Sequence, residues 1–298
     1  MVLKTGSMTY VMRILKYENT LSDSVAQATI SWFLIGYAVG QLIYGPLANR
    51  FGRKPALYAG IGLQIISSLL CVLSGITHHY TLLIFGRFLL ALGSGVGLKM
   101  AFTLVNESYE SVRATQLLSY LMIAFAITPG LSIALGGLLI TRFAWTSTFY
   151  VGALYGVVLL LLSHLLSETK TVLDRDALKF HRLMSAYLEQ FKNIPLLTGG
   201  LLMGCATSFI YLFAALAPFM AINLLNMPAA SYGFANLIPS VGLAMGSLIA
   251  ARAARRSSPL IIVKRGIIIT AIGVLLMLTG LPILIKFITA EPLALSFA

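Results

Sequence analysis

The chain has 298 residues and a formal net charge of +12, because 21 Lys and Arg outnumber 9 Asp and Glu. Apolar residues make up 58% of the sequence and charged residues 10%, whereas an ordinary soluble domain is roughly 25% charged. This composition excludes a disordered chain, which is rich in charge, and argues against a water-soluble enzyme or a nucleic-acid-binding domain. The charges cluster between long neutral stretches, which predicts an all-α polytopic membrane protein.

Charge-poor stretches of about 20 residues predict membrane-spanning helices. Eight occur, near residues 28–48, 56–76, 80–105, 116–140, 146–166, 194–222, 229–251 and 264–286. The neutral stretch 193–251 is divided by Asn223, Asn226 and Pro228. We therefore expect an external tail over 1–24, five helices over 25–166, a cytoplasmic linker over 167–193, three helices over 194–286 and a tail over 287–298. The N-terminal tail has no apolar core, so the first apolar helix is expected to act as the insertion signal.

Basic residues predict the orientation of the helices, because cytoplasmic loops are rich in Lys and Arg. Every second link is basic, whereas the links between them carry only Arg142. The basic links are 49–55, 106–113, 167–193 and 252–265. These links are predicted to be cytoplasmic and both termini to lie on the opposite side.

The longest link carries apolar residues at helical spacing. They are Leu173, Phe180, Leu183, Met184, Tyr187 and Phe191. This pattern predicts an amphipathic helix within 170–192 on the membrane surface. A role in lipid signalling and a plain linker between two halves of the chain are both compatible with it, and the plain linker is the simpler interpretation.

The first basic link is the most informative segment. It reads Gly45-Pro46-Leu47-Ala48-Asn49-Arg50-Phe51-Gly52-Arg53-Lys54. Gly45 would let two helices cross closely, and Gly52 would permit a turn. The three cations can meet helix C-terminal carbonyls, a carboxylate or lipid phosphate. A generic basic loop explains the spacing about equally well.

This segment resembles the signature between the second and third helices of the major facilitator superfamily. A weaker echo lies between the last two predicted helices, at Gly246, Leu248, Arg252, Arg255, Arg256 and Pro259. The resemblance implies a major facilitator fold with two halves and a substrate site between them. Such a fold has twelve helices, and by this comparison the first and the last three have no counterpart here. The 45–57 loop and its echo would guard the cytoplasmic side.

Other segments are similar to Bcr/CflA-type drug:proton antiporters. They are residues 36–47, residues 87–93, and an antiporter motif that contains Pro129, Gly130, Gly136 and Gly137. The last four residues would form a hinge, or alternatively a close helix contact. The chain departs from the pattern at Asn49, which replaces an Asp and removes the loop's one carboxylate, and at Leu90, Phe102 and Ile133.

The resemblance implies efflux of small organic compounds by proton antiport and alternating access, in the bacterial inner membrane. Its partners would be drug-like molecules and the lipid bilayer, with no nucleic acid and no obligate protein partner. No enzymatic activity, metal or cofactor is expected, and the proton gradient would supply the energy. The alternative is a truncated or decayed transporter product without transport activity.

Arg87 is the leading candidate for substrate binding and proton coupling. It lies about 10 Å into a helix that begins near Tyr80, and an intramembrane Arg costs at least about 2.5 kcal/mol on insertion scales. It is therefore expected to face a cavity or a partner, unless it snorkels to the outer interface. A guanidinium cannot relay a proton itself. The other polar candidates for contact with a substrate are Tyr37, Gln41 and Gln64.

Titratable groups inside the membrane are otherwise few. Lys99 is predicted to snorkel to the cytoplasmic interface. All nine acidic residues fall in loops or at helix ends, and the resemblance places the family's coupling carboxylate in the first helix, which has no counterpart here.

Overall fold

The computed structural model describes residues 23–170, 172–221, 227–253 and 259–290. The regular elements of these residues are helices, which confirms the predicted all-α class. They are α1 (Asp23–Phe51), α2 (Arg53–Thr77), α3 (Tyr80–Ser94), α4 (Val96–Ser108), α5 (Ser111–Arg142), α6 (Ser147–Ser163), α7 (Phe180–Phe191), α8 (Ile194–Phe219), α9 (Ala229–Ala235), α10 (Leu237–Ala253) and α11 (Pro259–Ala290).

Among the described residues, seven helical stretches are long and apolar enough to cross a membrane. They are α1, α2, α3 with α4, α5, α8, α9 with α10, and α11. The remaining predicted span, 146–166, corresponds to α6, which is apolar but has only 17 residues. At 1.5 Å per residue α6 extends about 25 Å, near the lower limit for a spanning helix.

Two of the predicted spans are interrupted, which the hydropathy pattern did not indicate. One passes from α3 to α4 at Gly95, whose N–H still donates to the Ala91 carbonyl oxygen at 3.1 Å. The other passes from α9 to α10 at Asn236. The amphipathic helix of the linker is also shorter than the predicted range, since α7 covers only Phe180–Phe191.

Helices α1, α2 and α3 approach one another closely at glycines. A Cβ on Gly40 of α1 would lie 2.5 Å from the Leu92 carbonyl oxygen of α3. A Cβ on Gly93 of α3 would lie 2.7 Å from the Gln64 backbone nitrogen of α2. Because lipid provides little hydrophobic drive between helices, such close packing is a main source of their association.

Two apolar clusters fill the space between these three helices, α4 and α6. The first joins Phe33, Cys71, Val72, Leu83, Leu90, Ala91 and Phe149. The second, nearer the Arg53 end of α2, joins Tyr44, Ala48, Ala56, Leu57, Ile61, Val96 and Met100. A separate contact packs α9 and α10 on α5, where a Cβ on Gly130 would clash with Ser240 Oγ.

The chain divides into two compact units, residues 1–243 and 244–298. The second contains the end of α10 and helix α11. None of its described side chains is buried within the protein.

The glycine contacts predict opposite effects on protein stability for a Gly→Ala substitution at two positions, Gly40 and Gly97. Gly40→Ala must displace the α3 backbone, and overpacking of this kind costs about 1–3 kcal/mol. Gly97→Ala is the matched control because no atom lies within 4 Å of its added Cβ, and Ala is favoured over Gly in a helix by about 1 kcal/mol. Thermal unfolding of the purified protein should show a lower melting temperature for Gly40→Ala only. Equal shifts of the melting temperature in the two variants would contradict the close crossing of α1 and α3 at Gly40.

Candidate functional site

A tight turn joins α1 to α2. It lies at the end of these two helices that carries Arg50, Arg53 and Lys54, which we call the basic end. Gly52 makes this turn with φ of 103°, in the left-handed region that disfavours other residues. A Cβ at Gly52 would also lie 2.7 Å from Glu168 Oε2. The turn predicted from the sequence is confirmed, and Gly52 additionally makes room for a carboxylate.

The Glu168 carboxylate accepts hydrogen bonds from the first backbone amides of α2. The Arg53 N–H donates to Oε1 at 2.8 Å and the Lys54 N–H to Oε2 at 2.9 Å. The Lys170 N–H also donates to Oε1, at 3.0 Å. Burial raises the Glu168 pKa, but these amide donors outweigh it and hold the pKa below its ordinary value of 4.5. Glu168 thus neutralises orphan donors at a helix N-terminus.

The Arg53 side chain is buried and fully engaged by a carboxylate and an amide. Its Nη2 and Nε donate to Glu107 Oε1 and Oε2 at 2.6 and 3.1 Å. Its Nη1 donates to Asn49 Oδ1 at 2.8 Å, and the Thr169 hydroxyl donates to Glu107 Oε2 at 2.5 Å. The expectation that Asn49 leaves the loop without a carboxylate partner is therefore wrong: Glu107 and Glu168 supply two.

The other two cations of the loop have different surroundings. The Lys54 ammonium donates to the His164 carbonyl oxygen at 3.3 Å, at the C-terminal end of α6. His164 in turn stacks on Tyr58 with ring centroids 5.0 Å apart. The exposed Arg50 guanidinium lies 5.3 Å from the centroid of the Phe51 ring. Leu47, between the two glycines of the motif, packs against the second apolar cluster.

Arg87 is fully buried in α3, with an exposed fraction of 0%. Its guanidinium carbon lies 5.1 Å from the centroid of the Phe33 ring of α1, which is within cation–π distance. The alternative that Arg87 snorkels to the outer interface is therefore wrong. Arg87 instead joins α3 to α1 inside the helical bundle.

A second polar group lies where α1 meets α4. The Lys99 ammonium donates to the Gln41 carbonyl oxygen at 2.8 Å, ten residues before the end of α1. A Cβ on Gly45 would lie 2.6 Å from Lys99 Nζ, so Gly45 admits the ammonium. The Gln41 side chain is hydrogen-bonded to Tyr37. The expectation that Lys99 snorkels to the interface is wrong, because its ammonium is bonded within the helices.

The structure brings Tyr37 and Gln41 together but separates Gln64 from them. Gln64 is buried, and its Nε2 donates to the Gly152 carbonyl oxygen of α6 at 3.4 Å. By contrast Tyr211 of α8 lies in the neighbourhood of Tyr37. The candidate site is therefore Tyr37, Gln41, Lys99 and Tyr211, bordered by the cluster on which Arg87 stacks.

The remaining predicted residues lie elsewhere. Helix α5 is continuous through Pro129. Gly130 contacts Ser240, and Gly136 and Gly137 are buried. These positions agree with close helix packing, while the hinge remains a prediction. In the echo of the loop motif, Gly246 has no atom within 4 Å of an added Cβ and Arg252 is exposed. Arg255 and Arg256 lie outside the described residues.

Sequence reasoning missed the roles of four side chains, Lys99, Glu107, Glu168 and Tyr211. The partners of Arg53 are 54 and 115 residues away along the chain, so no local pattern joins them. For Lys99 a signal existed, because a small residue such as Gly45 facing a lysine inside the membrane indicates a close contact.

Comparison with known proteins decides the family. The family model described as Major Facilitator Superfamily matches residues 3–297. The chain belongs to the major facilitator superfamily. It is thus a multi-pass membrane protein of a transporter family, not of an enzyme family, and the predicted major facilitator fold is confirmed.

Relatives that are similar to the chain include proteins named multidrug resistance protein MdtL. The protein from Escherichia coli O157:H7 is 29% identical over 226 residues, 75% of this chain and 56% of the relative. The protein from Shigella dysenteriae serotype 1 gives the same values. For Escherichia coli O139:H28 the identity is 35% over 164 residues, 54% of this chain and 41% of the relative. The chain spans about half the length of these curated relatives.

The capping of α2 by Glu168 predicts a pH-dependent contribution to stability. Because the folded-state pKa is lowered, this contribution is present above the unfolded-state pKa and is lost as the pH falls through the folded-state value. Glu168→Gln should therefore melt at a lower temperature than the wild type at neutral pH. The difference should narrow as the pH falls below 4.5, the ordinary Glu pKa.

Glu110→Gln is the control for this experiment, since Glu110 is exposed and makes no side-chain hydrogen bond to the start of α5. It should melt like the wild type at neutral pH. A constant difference between the wild type and Glu168→Gln across the acid range would contradict the ionised cap.

Proposed function

We propose that the chain takes part in the export of small organic compounds across the bacterial inner membrane in exchange for protons, as a Bcr/CflA-type antiporter. The relatives named multidrug resistance protein support the substrate class, and the loop motif and the 36–47 segment support the subfamily. The single observation that carries the mechanism is the bonded row of Tyr37, Gln41 and Lys99 within apolar helices.

The substrate contacts of this proposal are Tyr37, Gln41 and Tyr211. The tyrosine rings offer π faces to an organic cation, and the Gln41 amide offers both a donor and an acceptor. Arg87 serves as a positioning residue, because it is fully buried and stacks on Phe33. Phe33 belongs to the apolar cluster against which Tyr37 packs.

The exchanged proton requires a titratable group within the membrane. The acids whose side chains the structure describes lie at helix ends or in the linker, at Glu107, Glu110, Glu168, Asp174, Asp176 and Glu189. Arg87 stays charged. A lysine ammonium can release its proton, and we assign that role to Lys99.

The coupling of proton release to substrate binding in this proposal follows from the hydrogen bonds of Gln41. Protonated Lys99 donates to the Gln41 carbonyl oxygen, while the Gln41 side chain bonds Tyr37. Loss of the proton removes the charge of the ammonium and weakens its bond to the carbonyl, since charge-assisted hydrogen bonds are about twice as strong as neutral ones. A substrate cation would then approach Tyr37 and Gln41 without repulsion from Lys99. The titratable neighbours on α1 are Tyr37 and Tyr44.

Transport by the purified chain in proteoliposomes tests this proposal. The substrate should be a permanently charged organic cation such as ethidium, because a weak base would accumulate without a carrier. The wild type should accumulate the cation inside vesicles with an acidic interior, and should lose this accumulation when the gradient is collapsed. Accumulation that is independent of the gradient would contradict proton antiport.

Three variants assign the roles of the side chains in the same assay. Lys99→Met should abolish gradient-driven accumulation but retain exchange of labelled for unlabelled cation. Lys264→Met, the matched control at an exposed lysine of α11, should transport like the wild type. Tyr37→Phe should weaken apparent affinity severalfold, because one neutral hydrogen bond contributes about 0.5–1.5 kcal/mol. Gradient-driven accumulation by Lys99→Met would contradict its role as the proton carrier.

A further inference from the structure

Helix α1 contains a proline at a position where a helix normally forms a backbone hydrogen bond. Pro46 lies inside the helix, which continues to Phe51. Proline has no backbone N–H, and its ring presses against the carbonyl group four residues earlier, which bends the helix. The carbonyl oxygen of Leu42 therefore lacks its ordinary donor. Within an apolar helix such a group must be satisfied by another donor.

The Tyr187 side chain of α7 supplies a donor to this carbonyl. Its hydroxyl donates to the Leu42 carbonyl oxygen at 2.7 Å, which is the usual distance for a hydrogen bond from a hydroxyl. Burial raises the pKa of Tyr187 above its ordinary value of 10.0, so the hydroxyl keeps the proton that it donates. The carbonyl that Tyr187 contacts is thus the one that Pro46 deprives of its intrahelical donor.

The linker also contacts α1 on the other side of the bend. The Asp174 N–H donates to the Asn49 carbonyl oxygen at 3.0 Å. Asn49 lies in the last turn of α1, where carbonyl groups have no intrahelical donor. Leu42 and Asn49 lie on the same side of α1, because they are about two turns apart, or about 10 Å along the axis. The linker thus bridges Pro46 and binds two carbonyl groups that the helix cannot satisfy by itself.

The bend lies next to the candidate site. Gln41 directly precedes Leu42, and its carbonyl oxygen accepts a hydrogen bond from the Lys99 ammonium at 2.8 Å. Gly45 directly precedes Pro46 and makes room for this ammonium, because a Cβ there would lie 2.6 Å from Lys99 Nζ. Two neighbouring carbonyl groups of α1 are therefore held from different directions, one by α4 and the other by the linker.

We propose that Tyr187 is a positioning residue whose hydroxyl replaces the N–H missing at Pro46 and thereby holds the bend in α1. The linker between Asp174 and Tyr187 acts as a splint across this bend, and it fixes the position of Gln41 in the candidate site. The role of Tyr187 as a replacement donor does not depend on transport, whereas its effect on substrate binding rests on the proposed function.

A double-mutant cycle on the full chain tests the replacement donor. Tyr187→Phe removes only the hydroxyl, and Pro46→Ala returns a backbone N–H to the Leu42 carbonyl. Tyr187→Phe should lower the melting temperature of the purified protein by a few degrees, but should leave that of Pro46→Ala unchanged. Tyr155→Phe is the matched control, because Tyr155 is exposed and its hydroxyl has no hydrogen-bond partner among the described residues. It should have no effect in either background.

Pro46→Gly also returns the N–H, and glycine tolerates a bend because it is conformationally permissive. It replaces Pro46→Ala in the cycle if that variant fails to fold. An equal loss of melting temperature from Tyr187→Phe in both backgrounds would overturn the proposal, because Tyr187 would then act independently of Pro46. A wild-type melting temperature for Tyr187→Phe would also overturn it, by showing that its hydroxyl bond does not stabilise α1.

Ethidium binding in lipid nanodiscs, at a temperature where all variants are folded, tests the positioning of Gln41. Tyr187→Phe should weaken the apparent affinity of the wild type severalfold and should have no further effect on Pro46→Ala, while Tyr155→Phe should bind like the wild type. An unchanged affinity in Tyr187→Phe would overturn the positioning role. If the wild type binds no ethidium, the proposed function is overturned together with this role, and the melting temperatures still decide whether Tyr187 is the replacement donor.

Discussion

The close approach of the α1, α2 and α3 backbones is the constraint on which the other contacts of the structure depend. Gly40 lies against the Leu92 carbonyl and Gly93 against the Gln64 backbone nitrogen, with no space for a Cβ at either point. Within a membrane such packing replaces the hydrophobic effect as a source of helix association. It brings Phe33 within reach of Arg87 and the Gln41 carbonyl within reach of Lys99. A wider separation of these helices would leave both cations inside the membrane without these contacts.

The basic end illustrates how charges from distant parts of the chain can assemble without a local motif. Arg53 receives one carboxylate through its side chain, from Glu107, and another through its backbone amide, from Glu168. The linker is attached to α1 as well, since the Asp174 N–H donates to the Asn49 carbonyl oxygen at 3.0 Å. These bonds, with that of Tyr187 to the Leu42 carbonyl oxygen, attach the described part of the linker to α1 and α2.

Hydropathy and charge predicted the helices well because both are properties of contiguous residues. The eight apolar stretches coincide with α1 to α6 and α8 to α11, and the family resemblance drawn from the 45–54 loop is confirmed. Partners distant along the chain were not predictable in this way. The sequence indicates no role for Glu107 or Glu168, and it indicates a depth but no partner for Lys99. Gln64 is as polar as Gln41, yet it faces α6. This difference is not predictable from composition, because composition does not indicate which side of a helix meets which neighbour.

Exchange of a proton for an organic cation is the central claim, and proton release during binding tests it most directly. The full chain in lipid nanodiscs would be titrated with ethidium in weakly buffered solution, while bound ligand and pH are followed together. Binding should release protons in the wild type, and Lys99→Met should bind the cation without releasing protons. Binding to the wild type without any proton release, at every pH where the protein stays folded, would contradict the account.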